Sequence, residues 1–519
     1  MTISSSDASA QGRRDFLKTL GMASAAAALI PGSALARAVA EPAADFASMD
    51  ATGLAAAIKA RKISPLEAVN AAIARAQAVQ PQLNCISQEL YDRARKHVPA
   101  INPAGPFAGV PMMIKDEADV AGTAKHFGSK LDKLTPIAKE NDQLVELIEQ
   151  SGFNIFARTT MPEFGILPTT ETLAYGITRN PWNLDHTPGG SSGGAAAAVA
   201  AGIIPLAHGS DGAGSLRIPG SVCGLVGMKP SRDRLAGPLS IINGKMDVSG
   251  FLGESFCLSR TVRDTANMLA LLEMKGAGAV YPPVGKVTGP GTKKLRIGYI
   301  MNSLGDHVPV PEVAEGVNAT LKLLESLGHH VSPVKYPFDG AAFVEDFTVV
   351  YLARANEAKK LLPPGTSLDP KILRALVEPL SFSMSQLAED VPDAMAAKCY
   401  ERIAAASKAY FGLFDTIDIL VTPVLLKPPA RIGDINGSLP VAVVMQRLNN
   451  YADYTMLQNA TGGPALSLPM HWTKDGLPVG VQFAGPLGGD RALLELSFEL
   501  EKAQPWAQRR PPLWAPSRV

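Results

Sequence analysis

Two rhythms of apolar and polar residues run along the chain. Between Ala68 and Gln80 apolar residues recur at helical spacing, and Ser64-Pro65-Leu66-Glu67 just ahead has the form of a capping box with proline at the first helical position. Asn141 to Ser151 and Val313 to Leu327 repeat the helical rhythm, and Ala195 to Ala201 is a run of strong helix formers. Short continuous apolar runs stand between them: 109–114, which ends at Lys115, then 154–157, 202–207, 295–300, 330–334 and 419–421. Runs that short read as buried strands. Residues 340 to about 415 carry several helix-like segments with few strand signals. The alternation predicts an α/β layered protein. No stretch is rich enough in Pro, Gly or Ser to cut it, so the expectation is one large domain with an insertion-like helical region near 340–415.

Composition narrows the picture. Hydrophobic residues make up 46% of the 519 and charged residues 19%, which allows a substantial core. The net charge of +1 is spread along the chain and gives no basic groove for nucleic acid and no membrane-surface patch. Cys85, Cys223, Cys257 and Cys399 form neither a C-x-x-C nor a Cys/His cluster. They read as buried apolar side chains, and the expectation is no metal.

Residues 1–40 differ from the rest. Arg13-Arg14-Asp15-Phe16-Leu17-Lys18 precedes a mildly apolar, alanine-rich run from Leu20 to Ile30, too short to span a bilayer, and small residues follow from Ser33 to Ala38. The segment resembles a twin-arginine export signal, with cleavage choices ending at Ala36, Ala38 or Ala40. The other reading is a disordered tail with a chance arginine pair. On the export reading the mature chain, near 41–519, uses the twin-arginine machinery as a partner, keeps no stable membrane insertion and works in the periplasm or outside the cell.

Candidate chemistry concentrates in HTPGGSSGGAAAAVAAG at 186–202. A phosphate-binding loop of the Walker type would need Lys and Ser/Thr where Ala195 and Ala196 stand, and a dinucleotide loop would need a strand before it, where the chain reads PWNLDHTPGG. Gly190-Ser191-Ser192-Gly193-Gly194 satisfies G-x-S-x-G, which would make Ser192 an esterase nucleophile; its histidine would then have to be His471, in a turn-like context. Downstream, Gly209-Ser210-Asp211-Gly212-Ala213-Gly214-Ser215 puts a serine behind small residues whose N–H groups could converge on one point, or which only permit a tight turn. Upstream, Lys115 closes an apolar strand, where an ammonium is costly. It is a candidate base, unless it snorkels to water or pairs with Asp116 or Asp119.

Taken together, GVPMMIKD, PGGSSGG and SDGAGSLRIPGSVCGLVGMKP resemble the amidase signature family of amide hydrolases, as do TRNPWN, GESFCLSRTVRD, DILVTPV and GGPALSLPMHWTKDGLPVGVQFAG. The resemblance runs from about residue 50 to the end. Within the family, SDGAGSLRIPGSVCG and PWAQRRPPLWAPSR are most similar to the branch of 6-aminohexanoate cyclic-dimer hydrolases, which opens cyclic amides. The resemblance implies a central mixed β-sheet covered by helices on both faces. It implies cofactor-free hydrolysis of small or medium amides, linear or cyclic, with Lys115 as base, Ser191 (after a cis Gly190 peptide) as proton relay and Ser215 as nucleophile. Gly212, Ala213 and Gly214 would supply the oxyanion hole, Ser192 a supporting hydrogen bond, and Asp211 and Arg217 a pair holding the loop. Aryl acylamidase and peptide amidase activities belong to the same family, and a homodimer is expected by analogy. From another class, an exported solute-binding protein suits the size and location. The chain departs from the family pattern at Ala213, where glycine is usual, at Asp233, where glycine is common, and at His186, where arginine is common. The wall around the substrate is expected from the helical region and from a loop at 435–452.

Overall fold

The computed structural model describes residues 48–236, 241–242, 245–246, 251–352 and 370–516. The export signal expected at 1–40 and part of the expected helical region, 353–369, lie outside the described residues. Three strands, β1 (Ile86–Glu89), β2 (Pro111–Lys115) and β3 (Asn154–Thr159), form a small sheet in the order β1-β3-β2, with β2 parallel to β3. Every residue of β2 and β3 is buried, which is why both read as runs without a polar face.

The main sheet has eight strands: β4 (Leu206–Asp211), β5 (Val226–Lys229), β6 (Glu254–Ser259), β7 (Arg296–Tyr299), β8 (His330–Pro333), β9 (Ile419–Pro423), β10 (Ala465–Trp472) and β11 (Pro478–Ala484). Their order is β8-β7-β9-β11-β10-β5-β6-β4. Strand β7 is parallel to both neighbours, and all other pairs are antiparallel, so the sheet is mixed as expected. Edge strand β4 packs beside β2 of the small sheet, and the backbone N–H of Lys115 donates to His208 Nδ1 at 3.2 Å.

Helices cover this frame: α1 (Pro65–Leu83), α2 (Gln143–Gln150), α3 (Gly193–Ala200), α4 (Arg217–Cys223), α5 (Pro311–Ser326), α6 (Gly340–Leu352), α7 (Pro379–Glu389), α8 (Asp393–Gly412), α9 (Val441–Asn449) and α10 (Met456–Thr461). Helix α1 starts on the expected capping box: Ser64 Oγ accepts from Glu67 N–H at 3.2 Å, and the Glu67 carboxylate accepts from Ser64 N–H at 2.8 Å. Helix α3 is buried at every residue and packs against β2, β3 and β4. Small side chains allow that approach. A Cβ on Gly194 would lie 2.5 Å from Thr160 N, and one on Gly193 2.1 Å from Thr170 Oγ1.

Two expectations are corrected. The strand placed at 202–207 begins only at Leu206 and runs on to Asp211, because Gly202 turns the chain at φ +75 and Pro205 has no N–H for a ladder. The serine and aspartate of the GSDGAGS stretch therefore stand on a strand end, not in a loop. The segment at 435–452, read as a loop, holds helix α9. All four cysteines are buried and unpaired.

Candidate active site

Strand β2 delivers Lys115 into the interior at 0% exposure. Its Nζ donates to Ser191 Oγ at 2.7 Å and to Ser210 Oγ at 2.8 Å, and Glu117 Oε1 lies 3.4 Å away. Neither sequence alternative for this lysine holds: it does not reach water, and Asp119 pairs with Lys125 while Asp116 lies beside Arg158 and His126. Desolvating an ammonium is costly, and the Glu117 carboxylate offsets part of that cost. Burial pushes His208 down to about 4, with Glu117 opposing and Lys115 and Arg158 reinforcing the shift. The imidazole is therefore neutral, with Nδ1 free to accept from the lysine backbone.

Ser191 precedes Ser192, the residue that caps α3, and is joined to Gly190 by a cis peptide bond. The glycines around it serve close approach more than turning. Only Gly189 of the four has a positive φ, at +82, while a Cβ on Gly190 would lie 2.5 Å from Leu167 O. Ser192 Oγ faces β4, donating to Ser210 O at 3.1 Å and accepting from Ser210 N–H at 3.2 Å. That commits Ser192 to joining the two serine segments. No strand precedes it, and His471 stands on β10 beside Gly316, so the esterase arrangement is absent.

Ser215 follows β4 and opens into a pocket that Gly190 and Ala213 also line. Among the described residues its hydroxyl has no hydrogen-bond partner, so the Lys115–Ser191 link is closed and the Ser191–Ser215 link is not. Hydrogen bonds of this kind often tighten only with substrate bound. The loop is held from behind by Asp211. Its carboxylate accepts from the N–H of Gly214 at 2.7 Å and of Leu216 at 3.1 Å, and from Arg217 Nε and Nη2 at 2.9 Å each. Burial alone would raise the Asp211 carboxyl, but Arg217 and the Asn459 amide hold it well below the usual carboxylate range. Gly214 is thereby corrected as an oxyanion donor: its N–H is occupied. Among the described residues no acceptor stands on the N–H groups of Gly212, Ala213 and Ser215.

The pocket encloses about 670 Å³ including its mouth. Its walls are Phe347, Tyr351 and Leu352 of α6, Met384 of α7, Met445 and Leu448 of α9, and Met456 of α10. Both wall segments expected from sequence contribute, the second as a helix. Tyr351 is the one ionisable side chain among the described lining residues, and its hydroxyl donates to the carbonyls of Gly165 and Ile166.

Helix α7 is tied at its start to the buried Glu163 carboxylate. The N–H of Glu378 donates to Glu163 Oε2 at 2.7 Å, and Ser129 Oγ donates to Glu163 Oε1 at 2.6 Å. Burial, reinforced by Glu163, pushes Glu378 up to about 8. A buried carboxyl that binds its proton more tightly than the unfolded chain stabilises the fold most below about pH 4.5, and that contribution falls as pH rises toward 8. Glu378→Gln is expected to melt at the same temperature as the parent at pH 5 and higher at pH 8.5, measured by differential scanning calorimetry. An unchanged difference across that range would assign the effect to packing.

The family departures are absorbed locally. Asp233 takes φ +59, the left-handed conformation that explains a glycine there and that Asp tolerates. His186 bridges to Arg431, and burial, with Arg431, lowers its proton affinity. Nothing in the sequence marks Ser210 as a second acceptor for Lys115, since one hydroxyl in a small-residue run is unremarkable. Nor does it mark Thr455, Gln458, Asn459 and Gln482, which all touch the Ser215 loop or Arg217. They lie more than 200 residues away in sequence, and only the tertiary fold brings them in.

The sequence profile of the amidase family matches residues 67–494. AmiC of Mycobacterium tuberculosis is 36% identical over 470 residues, 89% of this chain and 96% of that protein. The 6-aminohexanoate-cyclic-dimer hydrolase of Paenarthrobacter ureafaciens is 34% identical over 494 residues, 90% of this chain and 97% of that protein. A solved structure of 6-aminohexanoate cyclic dimer hydrolase complexed with substrate superposes with a TM-score of 0.78 at 31% identity, covering 90% of this chain and 99% of that one. A profile spanning most of the chain, relatives above 30% identity over nearly their whole length, and the shared mixed sheet lead to one assignment: the protein belongs to the amidase signature family and is a hydrolase of carbon–nitrogen bonds.

Proposed function

We propose that the protein hydrolyses neutral, largely apolar amides of small or medium size, linear or cyclic, through an acyl-enzyme on Ser215. The observation that carries this reading is a fully buried Lys115 hydrogen-bonded to Ser191 beneath a pocket into which Ser215 opens. In the first step Ser215 Oγ attacks the amide carbonyl carbon. Its proton passes to Ser191 Oγ as Ser191 gives its own to the neutral Lys115 amine. The oxyanion is met by the N–H groups of Gly212, Ala213 and Ser215. The proton then returns through Ser191 to the amine nitrogen, the C–N bond breaks and the amine leaves. Water, deprotonated along the same route, attacks the ester, releases the acid and restores the neutral lysine.

The substrate class follows from the pocket lining. A carboxylate or ammonium on the substrate would lose its hydration with no described counter-charge to meet it. Cyclic amides, as in the matched cyclic-dimer hydrolase, and aryl amides fit such walls better than a peptide with a free carboxylate. The segment at 1–40 supports work outside the cytoplasm after export by the twin-arginine route. Family membership sets the solute-binding alternative aside.

The test is a fluorophosphonate probe on the purified protein, with the labelled peptide located by mass spectrometry. The expected adduct is on Ser215, and cleavage of a neutral anilide should exceed that of its carboxylate-bearing analogue. An adduct on Ser192 instead would overturn the mechanism, and a preference for the charged analogue would overturn the substrate class.

A further inference from the structure

Helix α10 and the residue before it grip the nucleophile loop at a place the proposed reaction does not itself name. The Ala213–Gly214 peptide is held at both ends. Its carbonyl accepts from Thr455 Oγ1 at 2.5 Å, and its N–H donates to Asp211 Oδ1 at 2.7 Å. The approach of Thr455 is close enough to require glycine opposite: a Cβ on Gly214 would fall 2.3 Å from Thr455 Oγ1. One turn along, Asn459 Nδ2 donates to the Asp211 backbone carbonyl at 2.8 Å, to Asp211 Oδ1 at 3.0 Å and to Leu252 O at 2.9 Å. The next residue after Thr455, Met456, lines the pocket.

From this geometry we infer that Thr455 is a positioning residue for the oxyanion site. Its hydroxyl fixes the plane of the Ala213–Gly214 peptide, turning that carbonyl away from the pocket. The N–H groups of Ala213 and Ser215 on either side of it are then left to face the developing charge. A peptide plane can rotate between its neighbours at modest cost, and a reversed one would put a carbonyl oxygen where the oxyanion forms. Orientation therefore has to be imposed from outside the loop, and Thr455 and Asp211 impose it from opposite ends. Met456 joins the same helix start to the pocket wall, so the clamp and the substrate meet on adjacent residues.

The inference rests on Ser215 as nucleophile, and the experiment separates the two. An aryl trifluoromethyl ketone adds to a nucleophilic serine hydroxyl to form a hemiketal whose oxygen mimics the tetrahedral oxyanion. Its affinity therefore reports that site, whereas KM for an anilide substrate largely reports the pocket. Removing one oxyanion donor typically costs about 10²–10³-fold in rate, and loss of orientation should approach the lower end. Thr455→Val is expected to weaken ketone inhibition and to lower kcat by about 10²-fold, with KM little changed. Thr455→Ser, which keeps the hydroxyl, should recover most of both. If the valine variant melts early, Thr455→Ala removes the hydroxyl without adding volume and serves in its place. Equal ketone affinity in wild type and in the variants lacking the hydroxyl would overturn the clamp, as would parallel losses in ketone affinity and KM. A wild-type protein that forms no adduct on Ser215 would instead overturn the nucleophile assignment on which the clamp rests.

Discussion

Lys115→Met should lower kcat/KM by about 10²–10⁴-fold, the range expected when a general base is removed. The fold should survive. Methionine fills a similar volume in a strand that is apolar throughout, and it needs no partner at 0% exposure. The substitution exchanges a desolvated amine for a side chain at home in the interior, but it leaves the Glu117 carboxylate, 3.4 Å from the lysine nitrogen, without that neighbour, so the melting temperature should fall modestly while the fold holds. Besides the Glu117 contact, two hydrogen bonds are lost, to Ser191 and to Ser210. Both partners are hydroxyls that can rotate toward water or toward each other. Steady-state kinetics on an anilide, with a calorimetric melt on the same preparation, decides the matter. A large kinetic loss with only a modestly lowered melt assigns Lys115 to chemistry. Equal collapse of both would assign it to structure, and an active methionine variant would remove the lysine from the mechanism.

Sequence and structure contribute unequally to that expectation. Lys115 was legible because a parallel strand buried on both faces leaves an uninterrupted apolar run, and a charge at the end of such a run has few bland explanations. Ser191 and Ser215 were legible only through resemblance. Their glycine-rich surroundings fit several chemistries, and spacing alone does not separate Ser191 from Ser192. Here the fold decides, because Ser192 is committed to the backbone of Ser210 while Ser191 faces the lysine. The start of β4 was misplaced because apolar residues at 203–204 look like a strand, whereas ladder pairing begins only beyond Pro205. Helix α9 does not show in the sequence because proline, glycine and asparagine precede it and its apolar stripe is brief. Thr455 and Asn459 lay beyond any local reading. Neither stands out by type, and what they do depends on a segment about 240 residues upstream.

The same dependence on distant segments makes Arg217 a vulnerable point of the fold. Its guanidinium is 0% exposed and meets Asp211 through two nitrogens, the Thr455 carbonyl, and the side-chain oxygens of Gln458, Asn459 and Gln482. Arg217→Met would leave the Asp211 carboxylate buried without its counter-charge, a change that typically costs about 3–5 kcal/mol. The pH profile should carry the signature. In the parent protein Asp211 lies well below the usual carboxylate range, so its contribution is in place above about pH 4 and is lost only as pH falls further. Without Arg217, burial becomes the dominant influence and favours the protonated acid, which reverses the sign. The variant should then lose stability as pH rises, and its deficit against the parent should be smaller at pH 5 than at pH 8. Asp211→Asn combined with Arg217→Met removes both charges while keeping an acceptor for the Gly214 N–H. The double variant should therefore be more stable at pH 8 than Arg217→Met alone, and the cycle built from the single and double variants measures the pair directly. A deficit that is independent of pH, with no recovery in the double variant, would show that Arg217 is held for its contacts with the three amides and the Thr455 carbonyl. In that case the loop would be fixed by hydrogen bonding across α10 and not by the ion pair.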